Sequence, residues 1–493
     1  MSILQIDMEA MTNEADVTKT APMDAAPAPL EKIAVLLRDL DRAGIRYCHW
    51  KSNYRILHAL AGEGDLDLLV AKEDFPTFVT VLLQQGFKQA ESATSRRQPG
   101  VFHFLGNDDA KHGIVNVHAY VRILTGDHLL KTWAIPLERL LLNDTRKEHG
   151  ICLPSKAGEL VVFVFRNMVK HTTLLDIYLG QHARKAVLEE YQWLVFDSRA
   201  EDCFGKLATY FPMISPSDFR SALELMGTER TLLSRIRMGL RFQRALAKYR
   251  RYGRARQMIG TASSACGMVV AKLCRSRKAM TLRSGGAIIV VVGPQAPTRA
   301  AFVEKIRRWL GGQLAVGVIH PGEPPATWLS CLPRACIAVA RRLVPGHFTR
   351  HVDNNATPPS EDRVTYLELV RQLLLAHERA ALLRRAYRDS RNGEIIICDD
   401  YPSEPPESPD ASAARTETVP ASKSPLKRFI LRWKAKCDRS VCPPDLVLQL
   451  DAAGGTAVKQ KPVFDGCPRI PISMDREFQE AVLEARHVIW EHL

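Results

Sequence analysis

The sequence predicts an α/β protein in several parts, and three observations carry that reading. Short strand signals with interspersed acids fill the N-terminal third, a breaker-poor stretch of helical periodicity follows, and after Gly286 apolar strands alternate with long helices. The expected order is a mixed α/β domain, a helical connector and a parallel-sheet α/β domain. At 493 residues the chain exceeds one ordinary core, which agrees with such a division.

Residues 1–29 hold few large apolar side chains and end in an Ala/Pro run, so they read as a disordered leader. The first domain is placed at 30–155. Ile33, Leu36, Leu37 and Leu40 recur at helical spacing and stop at Gly44. Ile45–Trp50 and Leu66–Val70 read as strands, Phe75–Gln85 as a helix ended by Gly86, and Val101–Leu105 and Ile114–Val121 as further strands. Residues 156–284 form the helical, basic connector, interrupted by Pro212 and Pro216. The last domain spans 285–493. In it Ala287–Val292 is an apolar strand, a Gly-Pro turn leads to a helix from about Arg299 to Leu310, and Val364–Ser390 is a long helix. Glu394–Cys398 and Leu446–Leu450 are strands, and the Pro/Ser/Glu/Ala-rich segment 402–425 reads as a mobile loop.

Bulk composition excludes several classes. The longest uncharged apolar run, near Thr261–Ala271, is far short of the ~20 residues that span a bilayer, so no transmembrane segment is expected. Acids at 7, 9, 14 and 16 do not fit a secretory signal, and eleven cysteines without a CxxC pair fit a reducing cytoplasm better than a zinc site. The formal charge of +14 is concentrated: Arg230–Arg283 holds fifteen Lys or Arg and no Asp or Glu. That block reads as a solvated helical face or as an attractor for an anionic membrane surface or another polyanion. Phe242, Tyr249 and Tyr252 lie within it, but no nucleic-acid reading motif accompanies them.

The first chemical constellation is Gly44-Ile-Arg-Tyr-Cys-His-Trp-Lys-Ser-Asn53 followed by Asp65-Leu-Asp-Leu-Leu-Val70. Asp65 and Asp67, two apart on a strand, project from one face, where they could hold Mg²⁺ against phosphates. Lys51 and Ser52 follow a strand in a turn that could meet those phosphates. These residues resemble the nucleotidyltransferase superfamily. With Val117-His-Ala-Tyr-Val-Arg-Ile-Leu-Thr-Gly126 they resemble, more narrowly, a bacterial branch in which such a domain precedes a thymidylate-kinase-like one, often assigned to polysaccharide biosynthesis. The resemblance implies Asp65 and Asp67 as catalytic metal ligands, and Lys51 and Ser52 as nucleotide-binding residues. Two departures stand out. Lys51-Ser52 replaces the usual Gly-Ser or Gly-Gly, and Asn116 and His118 occupy the region of the third acid. His118 could replace the base, since its ordinary pKa lies near neutrality, or it could be structural.

The second constellation is a phosphate loop in outline. Gly293 follows the strand, and Pro294-Gln-Ala-Pro297 leads to Thr298, Arg299 and Ala300, which stand at the positions of the second glycine, the lysine and the hydroxyl. Pro297 removes a donor and Ala300 offers magnesium no oxygen. Arg391-Asn-Gly-Glu-Ile-Ile-Ile-Cys-Asp-Asp-Tyr401 and Pro443-Pro-Asp-Leu-Val-Leu-Gln-Leu-Asp451 are nevertheless similar to thymidylate kinase, over roughly residues 286–493. The resemblance implies Gly293, Arg299 and Asp399 at the nucleotide. It also puts Asp400 where that family has arginine, and a lid at 453–461 with only two lysines.

The expected function is therefore a cytoplasmic, nucleotidyltransferase-like protein that takes Mg²⁺ with a nucleotide or nucleotide-sugar. Its second domain would be a pseudokinase, and polysaccharide-biosynthesis enzymes would be its partners. The alternatives are a non-catalytic adaptor in the same kind of pathway and an active nucleoside monophosphate kinase with an unusual P-loop.

Overall fold

The computed structural model describes residues 28–92, 97–109, 113–126, 130–170, 184–197, 199, 201–227, 232–253, 256, 259–260, 263, 279–293, 295–322, 324–327, 330–331, 335, 366–399, 401, 424–439, 442–451, 467–475 and 477–493. Most of the leader and of the 402–425 loop, Pro294, Asp400 and the 453–461 lid lie outside these residues. The chain divides into two compact units at 278/279. Among the described residues no helix is long and apolar enough to cross a membrane.

The first unit begins with α1 (Glu31–Arg42), whose Ile33, Leu36, Leu37 and Leu40 are buried along one stripe. Strand β1 (Tyr47–His49) leads to α2 (Ile56–Leu60) and β2 (Leu66–Val70); α3 (Phe75–Gln84), β3 (Lys88–Glu91), β4 (Val101–Asp108) and β5 (Gly113–Tyr120) follow. Within this unit the strands run in the order β1-β2-β5-β4-β3, and the sheet is mixed: β2 and β5 are parallel, every other pair antiparallel. The alternation of side chains makes two different faces. Leu66, Leu68, Val70, Val115, Val117, Ala119 and Phe104 pack with α1 and α3. At Gly106 on β4 a Cβ would lie 2.6 Å from the Phe87 ring, so glycine there lets that ring pack on the sheet.

Beyond the sheet come α4 (Glu138–Leu142), the hairpin β6 (Thr145–Glu148)–β7 (Ile151–Pro154), and α5 (Lys156–Lys170). Then follow α6 (Arg184–Val195), α7 (Cys203–Tyr210), α8 (Pro216–Gly227) and α9 (Leu232–Ala245). Phe163, Phe165, Phe211, Phe219 and Phe242 form one core together with Cys48, Leu69 and Tyr120 of the sheet. The stretch expected as a connector is thus built onto the first unit: α5 is buried on nearly every side and shares its core with the second sheet face. Spacing could not show this, because an all-round apolar helix has no unpartnered stripe to mark where its neighbours lie.

The second unit contains β8 (Thr281–Leu282), β9 (Ile288–Val292), α10 (Ala296–Gly311), β10 (Val316–Ile319), α11 (Tyr366–Arg391) and β11 (Ile395–Asp399). It ends with α12 (Pro425–Arg439), β12 (Leu446–Asp451), β13 (Arg469–Ser473) and α13 (Phe478–His492). Its sheet, in the order β10-β11-β9-β12-β13, is parallel throughout. Strands β9, β11 and β12 are near-continuous apolar runs, as a sheet covered on both faces requires. The whole molecule is therefore a bipartite α/β protein, one sheet mixed and one parallel.

Candidate functional site

The first unit gathers its polar side chains where β1 turns away from the sheet. Ser52 adopts the left-handed conformation (φ 57°, ψ 34°), a strained choice for a residue with a Cβ. Asn53 fixes the turn from below. Its Nδ2 donates to the His49 carbonyl at 3.0 Å and to Glu159 Oε1 at 2.6 Å, and its Oδ1 meets His49 Nδ1. The turn so held presents Lys51 to β2, where Lys51 Nζ lies 2.8 Å from Asp67 Oδ1.

Parallel pairing of β2 with β5 sets Asp67 opposite His118. Asp65, Asp67, Asn116, His118 and Tyr120 consequently share the sheet face away from α1 and α3. Tyr120 donates its hydroxyl to Asp67 Oδ1 at 3.1 Å, and His118 Nδ1 lies 3.1 Å from that oxygen and 2.8 Å from the Tyr120 hydroxyl. Lys51 also donates to the Tyr120 oxygen at 3.1 Å. Among the described residues, Lys51, His118 and Tyr120 all meet Asp67 at Oδ1 and leave Oδ2 facing the site. Asp65, exposed at the strand's start, accepts from Asn116 Nδ2 at 2.8 Å. His103 on β4 stacks on His118 with ring centroids 4.3 Å apart.

The electrostatics follow from burial and these contacts. Burial opposes ionisation of Asp67, but the His118 hydrogen bond and the Lys51 charge outweigh it and hold the carboxyl well below the usual range. Burial, with His118 beside it, pushes His103 down to about 4, so the stacked partner is neutral. Burial likewise raises the Tyr120 phenol, aided by Asp67, so the hydroxyl keeps its proton to donate.

The five expected residues are therefore assembled in part. Lys51, Asp67 and His118 meet within hydrogen-bonding distance, and Asp65 is their neighbour on the face. The Ser52 hydroxyl makes no capping hydrogen bond, and its left-handed backbone, not its side chain, shapes the turn. Tyr120, His103, Asn53 and Glu159 complete the site without having been singled out in the sequence. Tyr120 could have been found, because it follows His118 by two on the same strand. Asn53 and Glu159 are 106 residues apart, and no local pattern links them.

Among the described residues no group of three or more His, Cys, Asp or Glu is placed to hold a metal ion. The donors present nonetheless suit Mg²⁺, a hard cation that takes one or two carboxylates and fills its shell with water and phosphate. Asp67 Oδ2 and the second oxygen of Asp65 are such donors, whereas His118 is not one that Mg²⁺ prefers.

In the second unit β9 lies between β11 and β12, and the chain reverses its direction of travel across the sheet there. Gly293 and Arg299 sit at the carboxyl end of this strand, where open α/β sheets bind ligands. The structure brings all three expected residues together: Arg299 donates from Nε to Asp399 Oδ1 at 2.5 Å and from Nη1 to the Gly293 carbonyl at 2.9 Å. His320 Nδ1 lies 3.4 Å from Asp399 Oδ2. The sequence placed the helix start near Arg299, but α10 begins at Ala296 with proline in its first turn. Strand β9 ends at Val292 and α10 begins at Ala296, three residues before the position that corresponds to the lysine of a phosphate loop.

No family model matches the chain, and no curated protein matches it. Among solved structures, a mutant APS kinase of Mycobacterium tuberculosis aligns with 42% of this chain and 97% of that one, at 11% identity and a TM-score of 0.17. A superposition at that score carries no argument, and the architecture described above rests on the strand order of the chain itself.

Proposed function

We propose that the first unit is nucleotidyltransferase-like and binds a nucleotide or nucleotide-sugar together with Mg²⁺ at the β1 turn and the β2–β5 face. The observation that supports this reading best is the convergence of Lys51, Asp67 and His118 from three strand-linked segments, with Asp65 beside them. Mg²⁺ held by Asp65 and Asp67 would neutralise phosphate charge. Lys51, the counter-ion of Asp67 in this structure, would lend its charge to the phosphates. Tyr120 and Asp67 orient His118 through Nδ1, which leaves Nε2 to accept a proton from an attacking hydroxyl. The product would serve polysaccharide assembly in the cytoplasm, alongside other enzymes of that pathway.

The second unit, in this reading, is a thymidylate-kinase-like scaffold that transfers no phosphate, since Arg299 is spent on Asp399 and Gly293. The second reading is a non-catalytic adaptor. It draws on Asn116, which stands where a third acid would and cannot act as a base.

Calorimetry with nucleoside triphosphates, with and without Mg²⁺, separates the readings. Wild type should bind in a Mg²⁺-dependent way, and Asp67→Asn should abolish that binding while keeping the fold. Equal binding by both proteins would refute the metal site, and binding without any nucleotidyl transfer to sugar phosphates would favour the adaptor.

A further inference from the structure

Helix α12 carries a face that none of these roles uses. The helix packs through Ile430 and Cys437, both buried, and Cys437 lies against Ala376 and Ala380 of α11. Beside that seam three large apolar side chains stand in solvent: Leu426, Phe429 and Trp433, exposed at 57%, 59% and 48%. Spacings of three and four residues keep them within about 60° of the helix circumference. The Phe429 and Trp433 rings meet edge to face, with centroids 5.9 Å apart. Single exposed apolar side chains are ordinary on a protein surface, but a continuous stripe of them marks a binding face.

The charges of α12 are as one-sided as its apolar residues. Arg428, Arg432 and Lys436, each four residues from the next, form an exposed row along the outer edge of the stripe. Among the described residues none of the three pairs with a carboxylate. The helix holds six Lys or Arg and a single acid, Asp438, which binds Lys434 at 3.0 Å on the side away from that row. A stripe of Leu, Phe and Trp edged by long cationic side chains suits a helix lying in a membrane interface. The rings enter the acyl boundary while the Arg and Lys stems reach back to the headgroups. Fifteen residues are too few to cross a bilayer, which takes ~20. A protein partner suits the face less well, because the stripe is a convex ridge about one side chain wide and the cores of protein interfaces are depleted in lysine.

We propose that α12 is an interfacial anchor for an anionic lipid surface, with Leu426, Phe429 and Trp433 in the acyl boundary and Arg428, Arg432 and Lys436 on the headgroups. The anchor is independent of the nucleotide site. It also lies outside the basic 230–283 block, where charge alone had located an attraction for polyanions.

The test sediments the full-length chain with vesicles of phosphatidylcholine, alone or mixed in equal parts with phosphatidylglycerol. Wild type should bind the mixed vesicles at least ~10-fold more tightly, and less so as salt is raised. Replacing Arg428, Arg432 and Lys436 together by Gln should weaken partition roughly 100-fold, at about five-fold per cation. Phe429→Ser with Trp433→Ser should weaken it at least ~10-fold. All five side chains stand in solvent, so circular dichroism should stay as in wild type. Lipid brominated in its acyl chains should quench a part of the tryptophan fluorescence that Trp433→Phe lacks, which loose electrostatic adsorption would not produce. Arg237→Glu with Arg244→Glu, two exposed positions in the basic block, should leave that quenching in place. Binding lost in that pair and kept in the α12 variants would overturn the proposal. So would the absence of binding by wild type, or self-association removed by Trp433→Ser in place of vesicle binding, which would make the face an interface between copies.

Discussion

The guanidinium of Arg299 closes on the carboxylate of Asp399 at 2.5 Å, tying the first turn of α10 to the end of β11. Both side chains are largely sheltered, at 15% and 13% exposure, so the pair is a fixed part of the second unit and not a loose surface contact. A residue aimed at phosphates would have to leave this carboxylate first. We expect the full-length protein to transfer no phosphate from ATP to thymidine monophosphate in a radiolabel assay. Turnover near the ~1–100 s⁻¹ of ordinary kinases would show that Arg299 is a ligand after all. Asp399→Asn should leave a sheltered charge under-paired and lower the stability of the second unit by about 1–3 kcal/mol in urea titration.

In the first unit Lys51 plays the corresponding part for Asp67. Lys51→Met should destabilise the unit by about 2–3 kcal/mol, less than the ~3–5 of a fully buried pair because Lys51 is 24% exposed. Lys51→Met combined with Asp67→Asn should recover most of the loss in a double-mutant cycle. The pH sign follows from the depressed Asp67 pKa. Its stabilisation is present above the unfolded carboxylate value and is lost as pH falls through the lower folded one. Without Lys51 that folded value rises, so the acid-unfolding midpoint should move to higher pH.

How much of this could be read from residues alone depends on the range of the interaction. Leu66–Val70 is legible to the residue because an apolar run on a buried strand is a local signal. The helix after Asp74 is legible because Gly86, at φ +74°, ends the turn that follows it. The start of α10 is not, because Pro297 and Thr298 carry the marks of a turn while proline is equally at home in a helix's first turn. Site residues divide the same way. Asp65, Asp67, Lys51 and Ser52 stand out by spacing. Asn53 and Glu159 gain their meaning only once α5 is laid against the β1 turn.

A buried acid and lysine give the first unit an unusual pH profile. Burial pushes Glu159 up to about 7, against the pull of Arg146 at 3.1 Å and of Lys156, and burial pushes Lys156 down to about 8. Folded Glu159 holds its proton where the unfolded chain has released it, so stability falls as pH rises from about 4.5 to 7. Folded Lys156 releases its proton where the unfolded chain keeps it, so stability recovers from about pH 8 upward. His103, neutral in the fold down to about pH 4, raises stability with pH over much of the acid range, so the test is a difference: in thermal melts the stability of wild type relative to Glu159→Gln should fall between about pH 4.5 and 7. A difference that is flat across that range would contradict this account.

The sharpest probe of the carboxylate face is Asn116→Asp. Asn116 is buried, its Nδ2 donates to Asp65 Oδ1 at 2.8 Å, and its own Oδ1 has no partner among the described residues. An aspartate there removes the donor and sets two carboxylates side by side, one of which must keep a proton or be matched by a cation. In EDTA the variant should melt several degrees lower than wild type, a loss of about 1–3 kcal/mol. Magnesium should then restore more stability to the variant than it adds to wild type, since a third hard oxygen joins Asp65 and Asp67. If nucleotidyl transfer by wild type is limited by the missing acid, the variant should also turn over faster. An equal Mg²⁺ response in the two proteins would mean that Asn116 does not border a metal position, and the face would then be a hydrogen-bonded platform only.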